Sequence, residues 1–472
     1  ALTLSSIIDT IQIDPNSILV IDDYESVFKD KVMATRIVDS SLSTQPEEVE
    51  INNSIWDGQS LIDKSIMGEY SQYGMILLRN DFFKTCAFNT NIQEFFADHG
   101  ITEISQLNGY TLATEVSQIR LITTPSSIKF LKFGKLEEWL TRISSTFGVV
   151  KHEKKTHFFE GGMVQTHYQL LNTLQMSREE MREFLQPTFH YMSQLKTNPP
   201  VMRYHIHYPR EQIKLTKKPM KTKNDIVFTL MGLNEKFCRT QWYADFRMRN
   251  ILAYRENLRY GHVLINGNYS TLLGNPLEML YQSIGLFKGE SLLGVDNVHS
   301  TRFQYGKRIL GSRSPHVCVG NILLVNNVSS PETDKYFNLT EEIVCINAIN
   351  QNIQQRLNGA DYDSDTMLLT DNELLIKAAE KNYEKFLVPT NFVESTKKKR
   401  YYNNSQKADL DIKTSVNKIG DIINKSQELQ SYMWHQLNNG GEYTDIDDLY
   451  RDICQLSVMS NIEIDLSSLR VQ

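Results

Sequence analysis

Three aspartates alternate with other residues in NGADYDSD, residues 358–365: Asp361, Asp363 and Asp365. Carboxylates gathered this closely raise one another's cost of ionisation, so a fold that brings them together needs a cation to match. Hard oxygen ligands at this spacing suit Mg²⁺ or Ca²⁺. An EF-hand calcium loop starting at Asp361 would need Gly at its sixth place and Glu at its twelfth. Thr366 and Asn372 stand there. The bland alternative is a solvated acidic turn, because Asp and Asn are common turn residues. The flanks argue against it. Apolar ILLVNNV and IVCINAI precede the cluster and MLL (367–369) follows directly, which places the loop between buried segments.

Mg²⁺ keeps open coordination positions and binds substrate phosphates. A carboxylate cluster can hold one ion and share a second with a nucleoside triphosphate. The pair then activates a hydroxyl and stabilises the leaving oxygen of an in-line displacement. Such a site also needs cationic side chains for the developing phosphate charge.

The elements that must position this loop read as follows. SILVIDD (17–23) is a short apolar strand closed by two acids, and GMILLRNDFFKTCAF (74–88) reads as two strands joined at Arg79-Asn80-Asp81. QIRLITTPSSIKFLKFG (118–134) reads as two more short strands with a break at Pro125. Short strands punctuated by Asn, Gly and Pro predict a barrel-like β domain. The middle turns helical. Ser177 and Glu180 form a capping box, and Pro187 is expected to close that helix. His205 and His207 in YHIHY are read as two positions on one strand face, core or surface histidines rather than a metal pair. A second β-rich stretch begins at GHVLINGNYSTLLGNP (261–276) and continues through HVCVGNILLVNNV and EEIVCINAI. Helical spacing returns in Val416, Ile419, Ile422, Ile423, Leu429 and Met433, and again in Leu449, Ile453 and Leu456.

Composition narrows the classes. With 472 residues, 40% apolar and 22% charged, the chain is an ordinary globular protein of two to four domains, not a disordered or disulfide-scaffold chain. Its net charge of −6 argues against a nucleic-acid coat protein and still permits a locally basic channel. Five cysteines without a C-x-x-C pair predict a reducing compartment and no zinc site. The absence of a long apolar run predicts no membrane span, and the start ALTLSSIIDTIQIDPNS is not read as a signal peptide. A cytoplasmic setting, or delivery into a cytoplasm by a phage, is expected. Three cationic runs, KHEKK (151–155), KLTKKPMKTK (214–223) and KKKRYY (397–402), are solvated faces or, in a nucleic-acid enzyme, backbone contacts. Tyr401 and Tyr402 could stack on bases there.

The acidic block resembles the metal-binding loop of the two-barrel RNA polymerases. That group takes in the largest subunit of cellular transcription enzymes, single-chain phage-type relatives and the RNA-dependent RNA polymerases of gene silencing. Against the form G-x-D-x-D-G-D, Gly359, Asp361, Asp363 and Asp365 match, and Ser364 stands where Gly is usual. GSRSPHVCVGNILL (311–324) resembles the R-x-P segment that precedes the loop, with Arg313 and Pro315 in place. ILLRNDFFKTCAF resembles the segment with an aromatic before a Lys-Gly pair, which puts Lys84 in the lysine position and Thr85 in that of Gly. TTPSSIKFLKF resembles the x-P-S-x-x-K-F segment and puts Lys129 in a second lysine position. VNKIGDIINKSQ and QLSVMSNIEID resemble the helices after the loop, with Asp465 in a matching acidic position. The resemblance runs from about residue 55 to the C-terminus. Alone, Lys84 or Lys129 would be a strand lysine whose stem covers apolar surface, and Arg313 an ordinary ion-pair arginine. Their order relative to the triad raises them above that.

The resemblance implies an α+β protein with two double-psi-type β-barrels joined by a helical connector and followed by a helical C-terminal part. The expected divisions are an N-terminal segment (1–50), a first barrel (51–150), a mainly helical connector (151–258), a second barrel with the metal loop (259–372) and the helical part (373–472). It implies template-directed nucleotidyl transfer with Mg²⁺ as cofactor, and ribonucleoside triphosphates, a nucleic-acid template and the RNA product as partners. Asp361, Asp363 and Asp365 would hold Mg²⁺, Lys84 and Lys129 would neutralise phosphates, and Arg313 would read the ribose. The template could be DNA or RNA. The alternatives are a Mg²⁺-dependent nuclease or phosphohydrolase using the same carboxylates, and a binding module in which the triad is a structural turn.

Overall fold

The computed structural model describes residues 7–155, 158, 161–213, 222–393, 401, 403–413 and 418–468. The cations at 214–221 and 397–400, Tyr402, Val416 and the side chain of Asp465 lie outside them. The chain divides into two units, Ala1–Lys155 with Tyr269–Gln472, and Thr156–Asn268.

In the larger unit the first strands are β1 (Asp9–Gln12), β2 (Ile18–Val20), β3 (Glu25–Val38), β4 (Ser41–Ser54), β5 (Gln59–Asp63), β6 (Met75–Asn80), β7 (Phe83–Thr90), β8 (Tyr110–Thr111), β9 (Leu121–Thr123) and β10 (Thr146–His152). Eight of them form one sheet in the order β1-β10-β6-β7-β5-β9-β2-β8. In the smaller unit β11 (Met163–Gln165) pairs with β12 (Leu264–Asn266). A closed barrel follows in the larger unit, built from β13 (Asn268–Gly274), β14 (Asn297–His299), β15 (Arg308–Arg313), β16 (Leu323–Asn327), β17 (Ile343–Ile346) and β18 (Thr366–Thr370), in the order β13-β17-β14-β16-β15-β18.

The same strand arrangement occurs twice. Taken in chain order, β2, β5, β6, β7, β9 and β10 pair in the order first, fifth, second, fourth, third, sixth. The barrel strands β13 to β18 pair in that order too. First and fifth strands run parallel in both sets, as do second and fourth. The remaining neighbours are antiparallel in both. The second set closes on itself, where the Leu272 amide donates to the Asp365 carbonyl at 2.9 Å. The first stays an open, curled sheet that continues at its two edges into β1 and β8. The fold is thus α+β with two barrel-type halves, as expected. No sequence repeat announces the duplication, because the two halves share pairing rather than side chains.

One hydrophobic core runs under both halves, from Trp56, Leu61 and Phe88 to Leu272, Val344 and Tyr362. Central strands such as β5 and β17 are buried along their whole length and so carry no polar alternation. Each fully buried aliphatic or aromatic side chain contributes about 1.5–3 kcal/mol. Polar clamps fix the register of the halves. The Gln59 amide donates to the Gly274 carbonyl at 2.9 Å and accepts from the Gly274 N–H at 2.8 Å. The Trp56 indole donates to the Asn275 carbonyl at 3.1 Å. A Cβ on Gly274 would lie 2.5 Å from the Ile55 carbonyl oxygen, so no larger residue fits this close approach.

Strands β3 and β4 form a long hairpin whose tip, Asp39 and Ser40, has positive φ at both positions. A third strand, β19 (Pro389–Asn391), adds to β3 in parallel. The C-terminal helices Ile419–Asn438 and Asp447–Ser468 complete this unit. The buried face of the first includes Ile422, Ile423 and Met433, and also Ser426, Gln427 and Gln430.

In the smaller unit the helices Arg178–Thr197, Pro199–Ile213, Lys223–Leu233 and Gln241–Arg259 pack around Tyr191, Leu195, Met202, Ile206, Tyr243 and Phe246. Two local readings are corrected here. Pro187 does not end its helix, which continues to Thr197. It lies on the exposed side, where water can satisfy the carbonyl it frees, while Phe184, Thr188, Tyr191 and Leu195 hold the buried stripe together. YHIHY is helical, not a strand. At about 100° per residue its two histidines point apart. His205 bonds the Tyr191 hydroxyl at 3.0 Å, and burial pushes the pKa of His205 down to about 4. His207 stacks on Phe228.

The segment after β9 is a third correction. Pro125–Ser127 and Lys129–Lys132 are 3₁₀ turns rather than a second strand. No helix among the described residues is long and apolar enough to cross a membrane. All five cysteines are free thiols.

Candidate metal centre

The acidic loop connects β17 to β18, the fifth and sixth strands of the closed barrel. Tyr362 is fully buried and its N–H donates to the Asp57 carbonyl at 3.0 Å, which nails the middle of the loop to the other half. With Tyr362 turned inward, Asp361, Asp363 and Asp365 remain half-buried. One carboxylate oxygen from each lies within 4.8 Å of the others. Two backbone bonds brace the cluster. The Asp361 N–H donates to Asp365 Oδ2 at 3.0 Å, and the Asp363 N–H donates to Asp361 Oδ1 at 3.2 Å.

Ser364 has φ of 117°, a left-handed region that favours glycine. The Gly usual at this place in the loop it resembles would adopt it without strain. Ser364→Gly is therefore expected to stabilise the protein by up to about 1 kcal/mol, net of the extra freedom that Gly has in the unfolded chain. A thermal melt in EDTA checks it, and a lower midpoint would contradict the strain.

Cations converge on the loop from both halves. Lys84, on β7, forms an ion pair with Asp363. Arg79, directly opposite Lys84 across the β6–β7 ladder, is held below its ordinary range by burial, against the pull of Asp363. Like charges facing each other across a ladder are destabilising, so Asp363, which attracts both, is part of what makes this pairing tolerable. Arg313, at the end of β15, bonds Asp365 at 2.7 Å and also the carbonyls of Leu357 and Asn358 at 3.1 and 3.0 Å. Arg79 and Arg313 each sit on the third strand of their set. Lys129 lies in the connection between the fifth and sixth strands of the open half, the place the aspartates hold in the closed one. Its ammonium donates to the Ser126 carbonyl at 2.6 Å.

Of the expected residues, then, the triad, Lys84 and Arg313 are joined by direct bonds, and Lys129 is held at Ser126 beside Asp57. Sequence reasoning missed Arg79, Asp57 and Gly58, and it left the role of Asn358 in the acidic motif open. Arg79 was visible only as part of a turn, although two cations flanking a short hairpin were a usable signal. Asp57 is pushed up by burial, against the pull of Lys129 and with help from Asp23 and Asp363. Gly58 has φ of 81°, and a Cβ there would lie 2.5 Å from the Cβ of Asp363. Asn358, with φ of 56°, ties the loop to its surroundings: it donates to the Pro315 carbonyl at 3.0 Å and accepts from the Ser457 hydroxyl at 3.2 Å. Gln427 and Gln430 bond the Val317 carbonyl and fix the same neighbourhood from the C-terminal helix.

The electrostatics are uneven. Burial pushes Asp363 up, but Lys84, a hydrogen bond from Asp361 and Arg79 outweigh it, so Asp363 lies below its ordinary range. Asp365 is raised by burial, with Arg313 opposing. Asp361 is pushed up to about 8 by burial and by Asp363 and Asp365. Each of the other two carboxylates has a cation bonded to it, and Asp361 is the one left crowded. Three hard oxygen donors with one unmatched negative charge fit a divalent cation such as Mg²⁺.

The folded protein therefore binds a proton at Asp361 that the unfolded chain releases near pH 4. Stability from this group is full below that pH and is lost as pH rises to about 8. In EDTA, the wild type is expected to lose more stability between pH 5 and 8 than Asp361→Asn does. Mg²⁺ should restore most stability at pH 8, because binding must displace that proton. Urea midpoints at the two pH values check this; equal pH slopes in the two proteins would contradict it.

No protein-family model matches the sequence, and no curated protein matches it. Among solved structures, the chain is similar to the RNA-dependent RNA polymerase QDE-1 from Thielavia terrestris, with a TM-score of 0.55 and 15% sequence identity. The match covers 98% of this chain and 47% of that one, so the chain spans about half the length of that polymerase. What the two share at this identity is the fold.

Proposed function

We propose that this chain carries the catalytic core of a template-directed RNA polymerase. The observation that carries the reading is the Lys84–Asp363 pair. It joins a cation from one barrel-type half to the carboxylate cluster of the other, as nucleotidyl transfer from a triphosphate requires and a simple metal hydrolase does not. The fold likeness to a polymerase supports it over nearly the whole chain.

In this reading Asp361, Asp363 and Asp365 hold Mg²⁺. Bound there, the metal supplies positive charge for activating a hydroxyl and for stabilising the leaving oxygen. The 3′-hydroxyl of RNA, or of a first nucleotide, attacks the α-phosphorus of an incoming ribonucleoside triphosphate. The new P–O bond forms as the hydroxyl gives up its proton to water, the bond from the α-phosphorus to the bridging oxygen breaks, and pyrophosphate leaves with that oxygen. Lys84 neutralises phosphate charge. Arg79, on the strand beside it, adds a second cation to the same face. Lys129 reaches phosphate by leaving the Ser126 carbonyl. Arg313 orders the loop through Asp365, and the donors it does not spend there contact the ribose.

Incubation with single-stranded DNA or RNA, labelled ribonucleotides and Mg²⁺ tests the proposal. Template-length RNA is the expected product, and the template that yields it defines the polymerase as DNA- or RNA-directed. Shortened nucleic acid without incorporation would instead favour the nuclease reading.

A further inference from the structure

At the tip of the β6–β7 hairpin, Phe82 has φ of 51° and is 54% exposed. Neither fact is explained by folding. A bulky residue with positive φ is strained, and Gly or Asn would hold this turn more easily. An exposed Phe gains little by burial. The turn is nonetheless fixed from below: the Trp139 indole donates to the Asp81 carbonyl at 3.1 Å, and the Lys129 N–H donates to the Phe82 carbonyl at 2.7 Å.

Phe82 is not alone. Phe133, 62% exposed, meets it edge to face with ring centroids 4.8 Å apart. Phe130 lies buried beneath both, 5.0 Å from Phe133 and 6.4 Å from Phe82. Gly134 permits this stack, since a Cβ there would strike the Phe130 ring at 2.1 Å. Within two residues of Phe82 or Phe133 stand Lys84, Lys132 and Lys135, with Asp81 as the one acidic residue. Lys129 is bonded to the turn itself. Lys84, which reaches Asp363, is the second residue of β7 and follows Phe82 by two positions, at most about 7 Å of chain.

We propose that Phe82 and Phe133 form a stacking platform for an unpaired base of single-stranded nucleic acid at the mouth of the metal centre. The proposal rests on the polymerase reading. Exposed aromatic faces bind any base, and flanking lysines track the sugar-phosphate backbone. The surrounding positive charge selects this occupant over an apolar peptide.

The test compares the wild-type chain with Phe82→Asn in EDTA. The probes are fluorescent dodecamers of thymidine or uridine and a dodecamer of abasic sugar-phosphate. Phe82→Asn should melt at the wild-type temperature or above, bind the base-bearing dodecamers about five- to a hundredfold more weakly, and bind the abasic strand as the wild type does. Unchanged affinity for the base-bearing strands, equal loss on the abasic strand, or no dodecamer binding by the wild type would overturn it. A wild type that incorporates ribonucleotides while Phe82→Asn binds normally removes the platform alone. Binding that depends on Phe82 without any incorporation leaves the platform standing and removes the polymerase reading.

Discussion

Asp363→Asn is expected to reduce ribonucleotide incorporation beyond the hundred- to thousandfold that loss of a single charge-stabilising donor typically costs. The side chain does two jobs at once. It is the middle carboxylate of the cluster, and it is the anion on which Lys84 is anchored. An amide offers one weak oxygen donor and no charge to either. The fold should survive. The Lys84 and Asp363 side chains are 42% and 22% exposed, so water screens much of their attraction. Removing the charge also relieves Asp361, which Asp363 pushes up. These effects oppose, and the melting temperature should move by no more than a few degrees. Primer extension with purified protein and a melt in the same buffer decide the matter. Near-normal extension by the variant would take the loop out of the chemistry.

Lys84→Ala should slow incorporation by about a hundred- to a thousandfold, equivalent to roughly 3 to 4 kcal/mol of transition-state stabilisation. Mg²⁺ binding should survive and could tighten, because Asp363 loses its protein cation and turns to the metal. Lys84→Arg should retain part of the activity, since charge is kept but the compact ammonium is not. Lys129→Ala should show a smaller loss, because its ammonium rests on the Ser126 carbonyl rather than on the cluster. Single-turnover rates at saturating Mg²⁺ separate these effects from metal affinity. Equal rates for Lys84→Ala and wild type would leave the ion pair as a structural contact only.

The cluster was legible because all three carboxylates sit in one short segment, where their spacing is visible in the sequence. The strands around Lys84 were legible too, since β6 and β7 are apolar runs on either side of a polar turn. What escaped depends on partners distant in sequence. Asp57 and Gly58 matter because the fold lays them against Tyr362 and Asp363, and nothing in their own neighbourhood says so. The β3–β4 hairpin escaped because its tip is Asp39-Ser40, not the Asn-Gly that usually marks such turns. The Pro125 segment read as strand because Ile128, Phe130, Leu131 and Phe133 make it rich in apolar residues, whereas the chain there folds into two tight turns. YHIHY failed for a related reason: two-residue alternation over five residues is too short to outweigh a helical core.

The parallel pairing of β19 with β3 sets a schedule for the nascent chain. Met33 and Ala34 wait for Pro389 and Thr390, so the hairpin, complete at Ser54, is finished about 335 residues before its third strand exists. At about 5–20 residues per second that interval is roughly 20 to 70 s. Throughout it, the β3 edge and the apolar side formed by Val32, Ala34 and Ile51 have no cover from Phe392. Such an open edge is a template for pairing with another chain. Crowded ribosomes making this protein would present many such edges at once, and slowing synthesis between the hairpin and residue 392 should lower its soluble yield.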